Sequence, residues 1–243
     1  MSWLRSLLFN LAFFGWTALA CIASLPTLLL PRRVLVSAGR LWARVALWLL
    51  ATIVGLRYEL SGESLSPQAA TIYAFKHQSA FDTLLVPLLL ADPAIVLKRE
   101  LVFIPLFGWY LAKTRQIAID RRGGAGALKG MLRAAERALA ASRPLVIFPE
   151  GTRVAPGRHR PYLPGVAALY VRLGVPVVPV ALNSGLFWPR RSFLKRAGKI
   201  TVELLPAIQP GLARKAFLDE LERRTESACT RLAAAVDSPV GEL

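Results

Sequence analysis

The longest interval without charge lies near the start of the chain, where no charged side chain falls between Arg5 and Arg32. That exceeds the ~20 residues a helix needs to cross a bilayer core. Trp3 and Trp16 suit interfacial anchoring, and Pro26 and Pro31 end the helix. Arg32, Arg33, Arg40 and Arg44 follow, and then a second apolar run over 45–56. This second run is too short to span. It reads as an interfacial helix, or as the other arm of a hairpin lying in one leaflet. Ala18-Leu19-Ala20 resembles a signal-peptidase site, but the apolar run continues to Leu30, so the segment reads as a retained anchor. The arginines that follow it place the rest of the chain on the cytoplasmic side.

From Arg57 onward the period changes. Short β-branched runs at 71–75, 94–98, 116–119, 145–148, 177–182 and 200–205 alternate with helical stretches. In one of these, Leu128, Met131, Leu132, Ala135 and Leu139 recur at helical spacing, with Lys129, Arg133 and Arg137 on the other face. A closing amphipathic helix, interrupted or whole, is expected near 210–235. The alternation predicts an α/β fold: a mostly parallel central sheet flanked by helices, preceded by an apolar two-helix membrane hairpin. The expected division is 1–56 for the anchor and 57–243 for the α/β domain. The run Val175-Pro176-Val177-Val178-Pro179-Val180 suits a sheet edge or a pocket wall.

Several polar residues fall at the ends of these strands, where open α/β sheets bind ligands. His77 follows the strand 71–75, and Asp82 stands five residues on, at the start of a helix. An aspartate there can fold back onto the imidazole Nδ1–H, fix the tautomer and leave Nε2 as a base. Ser79-Ala80-Phe81-Asp82 is equally a capping-box pattern, and Asp82 can serve both roles. A second group is Phe148-Pro149-Glu150-Gly151-Thr152-Arg153, a turn expected to project Glu150, Thr152 and Arg153 from the sheet's rim. A guanidinium beside a hydroxyl and backbone amides suits a phosphate monoester, although a surface Glu150–Arg153 pair would give the same sequence. Asp120-Arg121 closes the strand 116–119 and offers a second phosphate contact. Lys98, before the apolar stretch up to Gly108, suits an oxyanion or a snorkelling role at a membrane edge.

Composition narrows the class. Hydrophobic residues make up 54%, mean hydropathy is +0.44, and the formal net charge is +16 from 31 Lys+Arg against 15 Asp+Glu. A chain both oily and cationic fits anionic lipid surfaces. With the charge dispersed among apolar segments and no nucleic-acid motif, nucleic acid is not the expected partner. Cys21 and Cys229 form neither a disulfide framework nor a metal spacing, and with His77 and His159 the only histidines no metal site is expected.

Taken in order, His77 to Asp82, Lys98 to Gly108, Asp120-Arg121, Phe148 to Arg153 and Val175 to Val180 resemble the glycerophospholipid acyltransferase family. Within it the bacterial 1-acylglycerol-3-phosphate acyltransferases are the most similar, with the resemblance running from about Tyr73 to Leu182. It implies that His77 is the general base, that Asp82 orients it, and that Lys98 lies near the reaction centre. It also implies that Arg121 and Arg153, with Glu150, Gly151 and Thr152, bind the glycerol phosphate. The chain departs from the family pattern at Lys76, where asparagine is common, and at Arg115 and Ala118, where glycine and an aromatic are common.

The implied reaction moves a fatty acyl group from acyl-CoA or acyl-carrier protein to the sn-2 hydroxyl of 1-acyl-glycerol-3-phosphate, giving phosphatidic acid. A substrate hydroxyl attacking a thioester directly needs no serine nucleophile and no cofactor. The expected location is the bacterial inner membrane, with membrane lipids and the acyl donor as partners. Two other readings stay open. One is an acyltransferase for another lyso-lipid, such as lyso-ornithine lipid, or for glycerol-3-phosphate. The other is a cationic lipid-binding protein, which would have no use for a His77–Asp82 pair.

Overall fold

The computed structural model describes residues 1–63 and 70–237, so 64–69 and 238–243 of the expected α/β unit lie outside the described residues. Helix α1 (Ser2–Ala23) and helix α2 (Arg32–Leu49) are joined by a 3₁₀ turn at Leu25–Leu28. By length and composition both Ser2–Ala23 and Arg32–Val54 can cross a membrane. The second apolar helix is therefore not confined to 45–56. It starts at Arg32, runs on through a π turn at Leu50–Val54 and stops at Gly55, whose φ of +78° suits glycine. Arg33, Arg40 and Arg44, expected between two helices, instead share one helical stripe with Ser37. Counting charges along the sequence broke the run, because only one face of the helix carries them.

The two helices are clasped together, with Trp42 Nε1–H donating to Thr17 Oγ1 (3.1 Å) and Trp16 Nε1–H to the Trp42 carbonyl (3.1 Å). Trp16 thus spends its indole N–H on the hairpin itself. The inner face, Phe9, Leu47, Leu50 and Val54, is buried in the same core as Phe81, Leu84, Leu85 and Trp188. The outer face of α1 exposes Leu4, Leu8, Leu11, Phe14, Leu19 and Ile22. An apolar face of that extent is a membrane-associating surface.

The α/β part begins with strands β1 (Leu56–Gly62) and β2 (Ile72–Phe75), helix α3 (Ala80–Leu89), strand β3 (Ala94–Lys98) and helix α4 (Phe107–Lys113). It continues with β4 (Ile117–Ile119), α5 (Gly124–Ala140), β5 (Leu145–Ile147), α6 (Pro164–Leu173) and β6 (Val177–Leu182). It ends with the single turn α7 (Ser184–Phe187), β7 (Gly198–Leu204) and the uninterrupted α8 (Arg214–Asp237). Among the described residues seven strands form one sheet, in the order β1-β7-β6-β2-β5-β3-β4. Every pairing is parallel except β6 with β7.

Alternation along the strands divides the core into two layers. Tyr73, Phe75 and Val146 face the layer shared with α1, α2 and α3, while Ile72, Ala74, Leu145 and Ile147 face α5, α6 and α8. Strand β2 lies between β5 and β6, and connections leave this region over opposite faces of the sheet. That is a topological switch point, and the crevice at its carboxyl end is the ligand position of such sheets.

Two strands differ from the sequence expectation. Strand β1 was not expected, because six of its seven residues are exposed at the sheet edge and leave no strong apolar period. Strand β6, expected at a sheet edge or a pocket wall, is an interior strand between β7 and β2, so the edge alternative does not hold. Its Pro179 is tolerated where β7 bends away: the Pro179 carbonyl accepts from Leu205 N–H (3.0 Å), and pairing then resumes at Val177–Ile208 with one extra residue on the far side. Proline inside a sheet is at home in such a bulge.

Candidate active site

Strand β2 ends at Phe75, and the next residues of the chain build the site. Ser79 caps α3 in a full capping box with Asp82, and Ser79 N–H donates to Asp82 Oδ2 at 2.8 Å. The same oxygen accepts from Gln78 N–H (2.7 Å) and from the His77 ring at Nδ1 (2.9 Å). Oδ1 accepts from Ser184 Oγ at 2.6 Å. Asp82 is 0% exposed, so one buried carboxylate both caps the helix and orients the imidazole. The two readings of the motif are one geometry.

With Nδ1–H donating to the carboxylate, Nε2 carries the ring's lone pair. The imidazole is 14% exposed and lies against Phe148, with ring centroids 4.2 Å apart. Its backbone is held as well. His77 N–H donates to Glu150 Oε2 (2.8 Å) and the His77 carbonyl accepts from Val154 N–H (2.8 Å). The histidine and the 148–154 turn are therefore stitched together on both sides of Arg153.

Glu150 corrects one expectation. It does not project from the rim but is 0% exposed, with Oε1 2.7 Å from the Lys76 ammonium and Oε2 on the His77 amide. Burial pushes its carboxyl up to about 7, against the opposing pull of Lys76 and the His77 N–H. A surface Glu150–Arg153 pair does not form.

This raised value has a consequence for stability. An ordinary glutamate titrates near 4.5, so the folded form holds its proton to higher pH than the unfolded chain. The resulting stabilisation is complete below about 4.5 and is lost as pH rises through about 7. Glu150→Gln should therefore flatten the pH dependence of unfolding between pH 5 and 8, removing a slope worth about 3 kcal/mol. Thermal unfolding in detergent across that range checks it. Parallel curves for the two proteins would contradict the assignment.

The turn itself is set by Gly151, whose φ is +67° and whose N–H donates to the Phe148 carbonyl (2.9 Å). A Cβ there would lie 2.6 Å from Leu163 Cδ1 and 3.3 Å from the Arg121 guanidinium. Arg121 donates through Nη1 to the Gly151 carbonyl, so the end of β4 meets the turn after β5. Thr152 and Arg153 are half-buried, and neither Thr152 Oγ1 nor the Arg153 guanidinium has a hydrogen-bond or ion-pair partner among the described residues. Lys98 is exposed at the end of β3, paired in register with Ile119 beside Asp120-Arg121, and its ammonium also has no partner among the described residues.

The structure thus brings His77, Asp82, Glu150, Gly151, Arg121 and the backbone of Arg153 into one connected cluster, with Lys98 at the neighbouring strand end. Three participants were not singled out from the sequence. Ser184 follows β6 and holds Asp82 Oδ1, Lys76 pairs with Glu150, and Glu226 of α8 pairs with Lys76 at 2.6 Å. Lys76 alone left a signal, as a departure from the family pattern.

The family model described as Acyltransferase matches residues 57–183. The chain is 36% identical over 199 residues to a Pseudomonas aeruginosa protein named 1-acyl-sn-glycerol-3-phosphate acyltransferase, covering 82% of this chain and 77% of that one. A protein of the same name from Limnanthes alba is 29% identical over 84% of this chain and 73% of its own. Among solved structures, that of the 1-acyl-sn-glycerophosphate (LPA) acyltransferase PlsC from Thermotoga maritima has the same fold. Its TM-score is 0.77 at 21% identity, covering 96% of this chain and 98% of that one. The matched segment starts with β1 and ends one residue past β6, so it spans the whole His77-to-Arg153 cluster, and this chain belongs to the acyltransferase family.

Proposed function

We propose that the protein transfers a fatty acyl group from a thioester to the sn-2 hydroxyl of 1-acyl-glycerol-3-phosphate, forming phosphatidic acid. The observation that carries the reading is the His77–Asp82 pair at the carboxyl end of β2: a ring with one nitrogen fixed by a buried carboxylate and the other free to take a proton. The acceptor is the one in the names of its relatives.

In this mechanism His77 Nε2 removes the sn-2 hydroxyl proton as that oxygen attacks the thioester carbonyl. The new C–O bond gives a tetrahedral oxyanion, near which Lys98 supplies positive charge. The C–S bond then breaks, and the imidazolium returns its proton to the leaving thiolate. Asp82 stabilises the imidazolium throughout without itself being protonated. Arg153 and Arg121 hold the acceptor phosphate, with Thr152 and the turn amides beside them. Glu150 acts from behind, on the His77 backbone, and does not touch substrate. The donor is acyl-CoA or acyl-carrier protein, and neither a cofactor nor a metal takes part. The arginine stripe of α2 favours the inner membrane with the α/β domain on the cytoplasmic side.

A thioester-release assay on the purified full chain tests the acceptor. With acyl-CoA as donor, thiol release should depend on lysophosphatidate and exceed that with glycerol-3-phosphate or lyso-ornithine lipid by at least about tenfold. For lyso-ornithine lipid one lost charge-assisted contact already gives that ratio, and glycerol-3-phosphate keeps the phosphate but lacks the acyl chain whose burial holds the acceptor. A higher rate with lyso-ornithine lipid, whose head group has no phosphate, would transfer the assignment to that acceptor.

A further inference from the structure

Behind His77, on the opposite face of the sheet from Asp82, lies a buried charge cluster that acyl transfer does not consume. Lys76 continues the Ile72–Ala74 face of β2, the side covered by α8, and is 2% exposed. Its ammonium donates to Glu226 Oε1 at 2.6 Å, and Tyr162 Oη donates to the same oxygen at 3.0 Å. Glu150 Oε1 lies 2.7 Å from the ammonium, but off the hydrogen-bond direction. The aligned bond goes to Glu226. Glu226 itself is 27% exposed, so it brings a partly solvated carboxylate to an ammonium that has almost no water.

The connectivity makes this more than a buried ion pair. Lys76 and His77 are consecutive, and Glu150 holds both, the first through its ammonium and the second through its amide. An isolated buried ammonium is costly and reorganises towards whatever carboxylate is left. Without Glu226, the Lys76 ammonium would turn fully onto Glu150 Oε1 and pull that carboxylate off the His77 N–H. Tyr162 adds a second tie, because Leu163 N–H donates to the Pro149 carbonyl (2.9 Å), so the segment after Arg153 shares the anchor.

We infer that Glu226 of the closing helix is a positioning residue for His77, acting through Lys76 and Glu150 to fix the backbone that carries the imidazole. The closing helix, which lies outside the segment matched by the family model, is then a working part of the active site. This rests on the reading of His77 as the base.

The chain has only two histidines, so the imidazole of His77 can be observed alone. His159→Gln removes the other, an exposed residue paired with Glu222. In that background, ¹⁵N-histidine NMR of the full chain in detergent, at a pH of about 8 where a free imidazole is neutral, reports the His77 tautomer. The parent should show the single Nδ1–H form. Glu226→Gln should scramble the tautomers and lower kcat by about 10- to 100-fold, as expected for a misplaced catalytic group, with the acceptor KM within about twofold. Lys76→Arg should keep more of the Nδ1–H signal and of kcat than Lys76→Met.

A Glu226→Gln protein with one tautomer and a normal kcat overturns the inference. So does one whose kcat falls while the tautomer stays single. If Glu226→Gln does not fold, Tyr162→Phe removes one hydrogen bond and no charge. It should lower kcat several-fold with partial scrambling, and no change in either again overturns the inference. Full activity in His77→Ala would instead remove the underlying assignment of the base, while the NMR measurement would still test the positioning.

Discussion

His77→Ala is expected to fold, to associate with membrane as the parent does, and to lose turnover by ~10²–10⁴, the range for removal of a general base. Folding should survive because Asp82 keeps three donors when the imidazole is gone: Gln78 N–H, Ser79 N–H and Ser184 Oγ–H. The capping box remains, and the space left beside Phe148 opens towards solvent on the side where the ring is already exposed. Single-turnover thiol release with saturating lysophosphatidate isolates the chemical step from binding. Asp82→Asn separates the two duties of the aspartate, since an amide oxygen can still accept the Gln78 and Ser79 N–H bonds of the capping box but carries no charge for the imidazolium. It should lower turnover by at least ~10² with a stability loss of no more than ~0.5–2 kcal/mol. Near-normal turnover in His77→Ala would remove this histidine from the mechanism. Lost stability with full specific activity in Asp82→Asn would leave only the cap.

The sequence was most legible where one residue's role is carried by its neighbours in the chain. Asp82 stands five positions after His77, and a strand end followed by a helix start leaves few ways to place them apart. The interior strands β2 and β5 were legible because burial on both faces gives unbroken apolar runs. Strand β1 failed on the same ground, having only Leu56 buried. The helix α2 failed because a stripe of arginines interrupts a one-dimensional apolar count without interrupting the helix. What could not be read locally were contacts between distant segments. Glu150 meets Lys76 across 74 positions and Glu226 meets it across 150, and no period or spacing encodes such pairs. A Pro-Glu-Gly-Thr turn suggests projection outward, and only the buried ammonium behind it explains why the glutamate turns inward.

Arg153 is expected to read the acceptor phosphate, and its replacement should act on the acceptor far more than on the donor. The competing account, a surface pair with Glu150, has lost its partner, since both Glu150 oxygens are committed to Lys76 and His77. The Arg153 guanidinium is left without a protein anion among the described residues, although its backbone is tightly placed. Its carbonyl accepts from Arg190 Nη1 (3.2 Å), and the next residue, Val154, donates to the His77 carbonyl (2.8 Å). A free guanidinium on a backbone tied to the base is suited to set the distance between a bound phosphate and Nε2. Losing a charge-assisted contact of this kind costs roughly 1.5–3 kcal/mol. Arg153→Ala should therefore raise the lysophosphatidate KM by about 10- to 100-fold, while the acyl-CoA KM stays within about twofold. Arg153→Lys keeps the charge but not the planar fork, and should recover only part of the loss. Turnover should fall as well, because the phosphate contact also aligns the attacking hydroxyl. Initial rates with each substrate varied in turn decide the matter. An acceptor KM within twofold of the parent in both variants, or a rise in the donor KM instead, would take the phosphate away from Arg153. Arg121 spends only Nη1 on the Gly151 carbonyl, and its other N–H groups would then carry the phosphate.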